Sequence, residues 1–147
     1  MNILFICTGN TCRSPMANEL FKSFLKSKKI RNIECNSAGI SAKKDDPASE
    51  NAIKALEEVN LDLSNHKAKS IFDVDLNSFD LYVVMNLMHY DILKSMEIPI
   101  EKIYILGNEI QDPYNGTVAT YKKCRDSIKK ALYPLYEYIK KQIGIEK

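Results

Sequence analysis

The sequence predicts an α/β fold: a single-domain, three-layer sandwich over residues 1–147, with a four-stranded parallel sheet flanked by helices. Three observations predict it. Short apolar runs alternate with longer stretches in which apolar residues recur at three- and four-residue steps, as strands joined by crossover helices require. The first run, Ile3 to Ile6, is apolar at every position, the mark of a central parallel strand covered on both faces. The chain is 45% hydrophobic and 27% charged, with no internal repeat, low-complexity tract or linker, so its 147 residues suit one ordinary core.

Taken in order, Ile3 to Ile6 ends directly in Cys7, and a helix follows with Met16, Ala17, Leu20, Phe21, Phe24 and Leu25 on one stripe. Ile33 to Ser37 reads as a second strand, more polar and therefore at an edge. Asp45 to Ser49 is a turn into a helix over Asn51 to Val59, with Ile53 and Leu56 facing inward. Leu81 to Met85 is a third, buried strand, followed by a helix from Leu87 to Met96, and Ile103 to Leu106 is the fourth strand. A long final helix starts near Thr117, carried by Val118, Tyr121, Cys124, Ile128, Leu132, Leu135 and Ile139. Pro134 interrupts it and should either kink it or end it early. In such sheets ligands sit beyond the carboxyl ends of the strands, and Cys7 lies at one of those ends.

Composition narrows the function classes. A net charge of +2 with scattered lysines implies neither a nucleic-acid nor a membrane surface, and no run is long enough to span a bilayer. The first apolar run is too short for a secretion signal, so a cytoplasmic protein with four reduced cysteines is expected. Cys35 and Cys124 fall on apolar faces and read as core. No Cys/His spacing suggests zinc, and His66 and His89 are far apart in sequence.

The segment from Cys7 to Ser14 carries the chemistry. A thiol at a strand end faces a short loop of backbone N–H groups, a helix N-terminus and the Arg13 guanidinium. All three attract an anion and favour thiolate over thiol. Gly9 lets the backbone turn where a side chain would obstruct, and Arg13 offers a bidentate fork suited to a phosphoryl group. Such a segment is a phosphate cradle with a nucleophile at its base.

Cys7-Thr8-Gly9-Asn10-Thr11-Cys12-Arg13-Ser14-Pro15-Met16-Ala17 closely resembles the active-site loop of the low-molecular-weight protein tyrosine phosphatases. Asn36-Ser37-Ala38-Gly39 is similar to that family's second-strand end, Leu63 to Ala68 to its histidine segment, and Asp112-Pro113-Tyr114 to its general-acid loop, in the family's order and spacing. The resemblance implies the family's fold and a phosphatase needing no metal or other cofactor. Cys7 would attack phosphorus and become phosphorylated. Thr8, Gly9, Asn10, Thr11, Cys12 and Arg13 would bind the phosphoryl group. Asp112 would be general acid, then general base. Ser14 would donate to the Cys7 sulfur, while Asn10, Ser37 and His66 would hold the loop in a strained shape. Thr11, Ile40 and Tyr114 would wall the substrate cleft. Outside that pattern Asp112 reads as a turn opener and His66 as a loop or core histidine. Cys12 is either a small loop filler or, as the resemblance favours, the partner of Cys7 in a protective disulfide.

Two positions depart from the family: Lys69 stands where arginine is frequent, and Ile40 where some members carry a large aromatic residue. Thr11 bears on substrate. Tyrosine-directed members commonly carry an aliphatic residue there, whereas members acting on phosphoarginine carry threonine, so phosphoarginine is narrowly favoured over phosphotyrosine. The implied partners are phosphorylated proteins, with inorganic phosphate as product and a monomer as the working form. Arsenate reduction on the same loop would need extra relay cysteines, which residues 80–110 lack. A phosphocarrier would not be expected to keep Arg13 together with Asp112.

Overall fold

The computed structural model describes residues 1–143; positions 144–147 of the expected domain lie outside the described residues. Four strands, β1 (Asn2–Cys7), β2 (Glu34–Gly39), β3 (Leu81–Val84) and β4 (Ile103–Ile105), pair in parallel in the order β2-β1-β3-β4. Four helices connect or follow them: α1 (Arg13–Ser27), α2 (Glu50–Glu57), α3 (Leu87–Ser95) and α4 (Val118–Ile143). The predicted α/β class, the strand count and the edge position of β2 all hold.

The period of two along β1 separates two cores. Ile3, Phe5 and Cys7 point to one face, where Met16, Phe21, Ala52, Leu56, Ile128 and Leu135 from α1, α2 and α4 cover them. Leu4 and Ile6 point to the other, under Leu93 of α3 and Ile71 and Phe79 from short turns before β3. Every residue from Ile3 to Ile6 is fully buried, which explains the unbroken apolar run. Buried Arg125 ties α4 to α2: its Nη1 donates to the Ala55 carbonyl at 2.8 Å and meets Glu58 at 2.5 Å, placing a cation at the negative end of α2.

Pro134 lies inside α4 and does not end it. Its missing N–H would have met the carbonyl four residues back, at Lys130. Both residues are exposed, so water can serve that carbonyl. Leu132, Leu135 and Ile139, at most 1% exposed, hold the flanking turns on the core. Among the described residues no helix is long and apolar enough to cross a membrane.

The register brings Cys7 beside Gly39 at the carboxyl edge of the sheet. Between β1 and β3 the order reverses direction, so the crevice beyond β1 is the topological switch point where α/β sheets bind ligands.

Candidate functional site

The chain between β1 and α1 wraps the head of α1. α2 is capped by Ser49, whose side chain accepts from the Ala52 N–H, and α3 by Asn86, which accepts from the His89 N–H. In α4 the Thr117 hydroxyl accepts from the Thr120 N–H at 3.3 Å. α1 has no side-chain cap and no acidic residue in its first turn. Its leading amides are left for an anion, and Pro15, lacking an N–H, costs nothing there. A cavity of about 210 Å³ lies against them, lined by Cys7, Thr8, Gly9, Thr11, Cys12 and Arg13 from the loop and by Asp112 and Tyr114 from the segment before α4.

A polar network holds the loop from behind. Asn10 is fully buried with φ 56°, the left-handed region, which asparagine tolerates better than most residues. Its Nδ2 donates to Ser14 Oγ at 2.8 Å and Ser37 Oγ at 2.9 Å, and its Oδ1 accepts the Lys69 N–H at 3.0 Å. His66 Nε2 donates to the Asn10 carbonyl at 2.7 Å. Burial, reinforced by nearby Lys69, lowers the His66 pKa against the opposing pull of that hydrogen bond, so the ring serves as a neutral donor. Ser14 Oγ is 2.9 Å from Cys7 Sγ and 3.4 Å from the Ala38 carbonyl. Ser14 already accepts from Asn10, so its single hydrogen is shared between the Ala38 carbonyl and the sulfur, the nearer of the two. Gly39 completes the support: a Cβ there would stand 2.6 Å from the Thr8 carbonyl oxygen and 2.9 Å from the Asn10 nitrogen.

Arg13 is 3% exposed and divided in purpose. Nη1 donates to the Ile110 carbonyl at 3.0 Å, fixing the plane, and Nη2 faces Asp112 Oδ2 at 3.5 Å. The Asp112 side chain is half-exposed, and its other oxygen accepts the Tyr114 N–H at 3.1 Å. Tyr114 stands largely exposed at the rim. The Lys69 departure does not touch the network's geometry, since Lys69 contributes its backbone N–H.

Most of the expected residues converge. Ile40 does not line the cavity; partly buried, it packs against the hydrophobic cluster on the other side of the sheet, the one that contains Ala38 and Ile71. Its N–H donates to the Cys7 carbonyl. All four cysteines are free thiols. Cys12 lies 3.3 Å from Tyr121 Oη and 3.6 Å from Ser49 Oγ. Burial pushes the Cys35 and Cys124 thiols up to about 12, as core residues. Sequence reasoning missed His89, fully buried in the first turn of α3, with Nε2 3.0 Å from Thr8 Oγ1. A readable signal existed: His89 follows the carboxyl end of β3, the same sheet edge as Cys7.

Fold and site together define a class of α/β protein in which a thiol, an uncapped helix N-terminus and a buried arginine face one cavity at the switch point of a parallel sheet. Comparison with known proteins makes this specific. The chain belongs to the low molecular weight phosphotyrosine protein phosphatase family, whose sequence profile matches residues 2–144. It is 35% identical to a protein-arginine-phosphatase of Bacillus subtilis over 96% of this chain and 98% of that one. It is 46% identical to a protein named arsenate reductase from Bacillus cereus, over 86% and 87% of the two chains. Among solved structures, YwlE arginine phosphatase, with serine in place of its active-site cysteine and that serine phosphorylated, superposes with a TM-score of 0.89 at 33% identity, covering 99% of this chain and 100% of that one.

Proposed function

We propose that the protein hydrolyses phosphoarginine in proteins through a phosphocysteine on Cys7. The single observation that carries the choice of substrate is Thr11, whose side chain lies in the wall of the cavity beside Asp112 and Tyr114. A guanidinium is planar, polar and rich in donors. A hydroxyl and a carboxylate suit it better than an aliphatic wall, and the Tyr114 ring can stack on its face. The resemblance to arginine phosphatases over nearly the whole chain supports the reading.

In this mechanism the phosphoryl group displaces the Asp112 carboxylate from Arg13 Nη2, while Nη1 stays on the Ile110 carbonyl. Arg13 and the loop amides take the equatorial oxygens, where transition-state charge spreads. The Cys7 thiolate forms a bond to phosphorus as the P–N bond breaks, and Asp112, freed from Arg13 and in its carboxylic acid form, gives its proton to the departing nitrogen and is left as carboxylate. Asp112 then takes a proton from water, whose oxygen attacks phosphorus. The S–P bond breaks, inorganic phosphate leaves, and the Ser14 hydroxyl stabilises the returning thiolate. The phosphoserine in the YwlE variant supports a phosphoryl-accepting nucleophile at this place in the fold. Cys12, the second thiol of the loop, is the candidate partner for a protective disulfide with Cys7. The reading is of a single domain acting as a monomer in the cytoplasm.

Arsenate reduction fits less well despite the Bacillus cereus relative. No cysteine lies in residues 80–110 to relay electrons, and Cys35 and Cys124 are buried thiols with raised pKa values. The test is kcat/KM on matched phosphoarginine and phosphotyrosine peptides, without metal and with reductant, for wild type and Thr11→Ile. Phosphoarginine preference that swings toward phosphotyrosine in the variant supports the proposal. A wild type preferring phosphotyrosine overturns the substrate assignment and leaves a tyrosine phosphatase with Thr11 as packing.

A further inference from the structure

The proposed mechanism uses the loop's backbone amides and leaves His89 and the Thr8 hydroxyl without a task. His89 is fully buried at the carboxyl edge of the sheet. The Met85 backbone N–H points at His89 Nδ1 from 3.4 Å, and Nε2 lies 3.0 Å from Thr8 Oγ1. A backbone N–H can only donate, so Nδ1 is the bare nitrogen and Nε2 carries the proton. Burial, aided by the Arg13 charge and opposed by Asp112 and Glu109, pushes the His89 pKa down to about 4. The ring is therefore neutral, in this tautomer, at neutral pH.

Thr8 Oγ1 accordingly accepts from His89, and its own hydrogen must point elsewhere. No acceptor for that hydrogen is found among the described residues, and Thr8 lines the cavity together with Cys7 and Asp112. The geometry points to the Thr8 hydroxyl as a side-chain donor to a phosphoryl oxygen, aimed by His89. The neutral ring makes the hydroxyl a donor toward the cavity where free rotation would leave it undirected, and such preorganised donors favour developing negative charge. Thr8 touches the phosphoryl group, and His89 is a positioning residue acting through it. The inference rests on the cavity binding a phosphoryl group, not on the choice of phosphoarginine.

The test uses Thr8→Val, Thr8→Ser, His89→Leu and the Thr8→Val/His89→Leu double variant. Each is read by kcat/KM on p-nitrophenyl phosphate, calorimetric affinity for inorganic phosphate, and Tm. Thr8→Val should lose about 10- to 100-fold in kcat/KM and bind phosphate more weakly, the scale of one hydrogen bond to a charged group. Thr8→Ser should restore most of both. His89→Leu should lose activity alone but add little in the Thr8→Val background, because the two act as a unit. If His89→Leu does not fold, His89→Gln enters the same cycle and is read by the same coupling. Wild-type values for Thr8→Val, no recovery with Thr8→Ser, or a His89 effect that persists undiminished without the Thr8 hydroxyl would overturn the inference. A wild type that neither hydrolyses the ester nor binds phosphate would overturn the proposed function, and the inference with it. A wild type that does both while Thr8→Val changes neither overturns the inference alone.

Discussion

Replacing Asn10 by alanine removes the buried side chain that ties the anion loop to β2, α1 and the segment around Lys69. Three hydrogen bonds go with it, to Ser14, Ser37 and the Lys69 N–H. At about 1 kcal/mol each, they sum to about 3 kcal/mol, and the partly buried Lys69 amide loses its acceptor. Asn10 also occupies φ 56°, where alanine is less tolerated than asparagine by something approaching 1 kcal/mol. The expected loss is about 4 kcal/mol, read by urea unfolding. For a chain of this size it corresponds to a fall in Tm of roughly 8–16 °C. Asn10→Gly separates the two contributions, since it loses the same hydrogen bonds without the backbone penalty, and it should be about 1 kcal/mol more stable than Asn10→Ala. An Asn10→Ala protein within 1 kcal/mol of wild type, or a glycine variant less stable than the alanine one, would refute the reasoning.

Two further outcomes follow from the same geometry. Gly39→Ala places a Cβ 2.6 Å from the Thr8 carbonyl oxygen, a backbone clash that only movement of the anion loop relieves; kcat/KM should fall by about 100-fold or more with the protein still folded, and an unchanged kcat/KM would show that the contact is harmless. His89 sets part of the acid sensitivity. Its native pKa of about 4 lies below the ordinary 6.5, so below pH 6.5 the unfolded chain binds more protons and stability declines as pH falls toward 4. Wild type should therefore lose roughly 2–3 kcal/mol more than His89→Gln between pH 7 and pH 4 in urea unfolding, and parallel curves for the two proteins would contradict the buried neutral imidazole.

The sheet was legible because β1 is buried on both faces and so is apolar throughout, and because the helices present one apolar stripe each. Boundaries were less legible where a strand end is shaped by something other than apolar burial. β2 runs on to Gly39, two residues past the expected Ser37, because Gly39 pairs with Cys7 and lets the loop approach closely. The fate of α4 at Pro134 could not be read from a one-dimensional pattern, since it depends on whether the Lys130 carbonyl faces water. At the site, Cys7, Arg13 and Ser14 were legible as one contiguous segment at a strand end, and Asn10, Ser37, His66, Asp112 and Tyr114 only through the family's spacing. Ile40 was misplaced because it lies in the turn just past the end of β2, where no strand period fixes the direction of the side chain, and it packs against the cluster on the α3 side. His89 was passed over because its one signal, a place after the carboxyl end of β3, gains meaning only from Thr8, which is distant in sequence and 3.0 Å away in space.

The central claim, a phosphoryl group carried on Cys7, is tested most directly by mass analysis of the Cys7 peptide after acid quench of Asp112→Asn mixed with substrate. Loss of the general base should slow hydrolysis of the intermediate. The account predicts a mass increase of one phosphoryl group on that peptide, absent in Cys7→Ala/Asp112→Asn. A variant that turns over substrate with no phosphorylated Cys7 peptide at any quench time, or a Cys7→Ala protein with wild-type turnover, would contradict it.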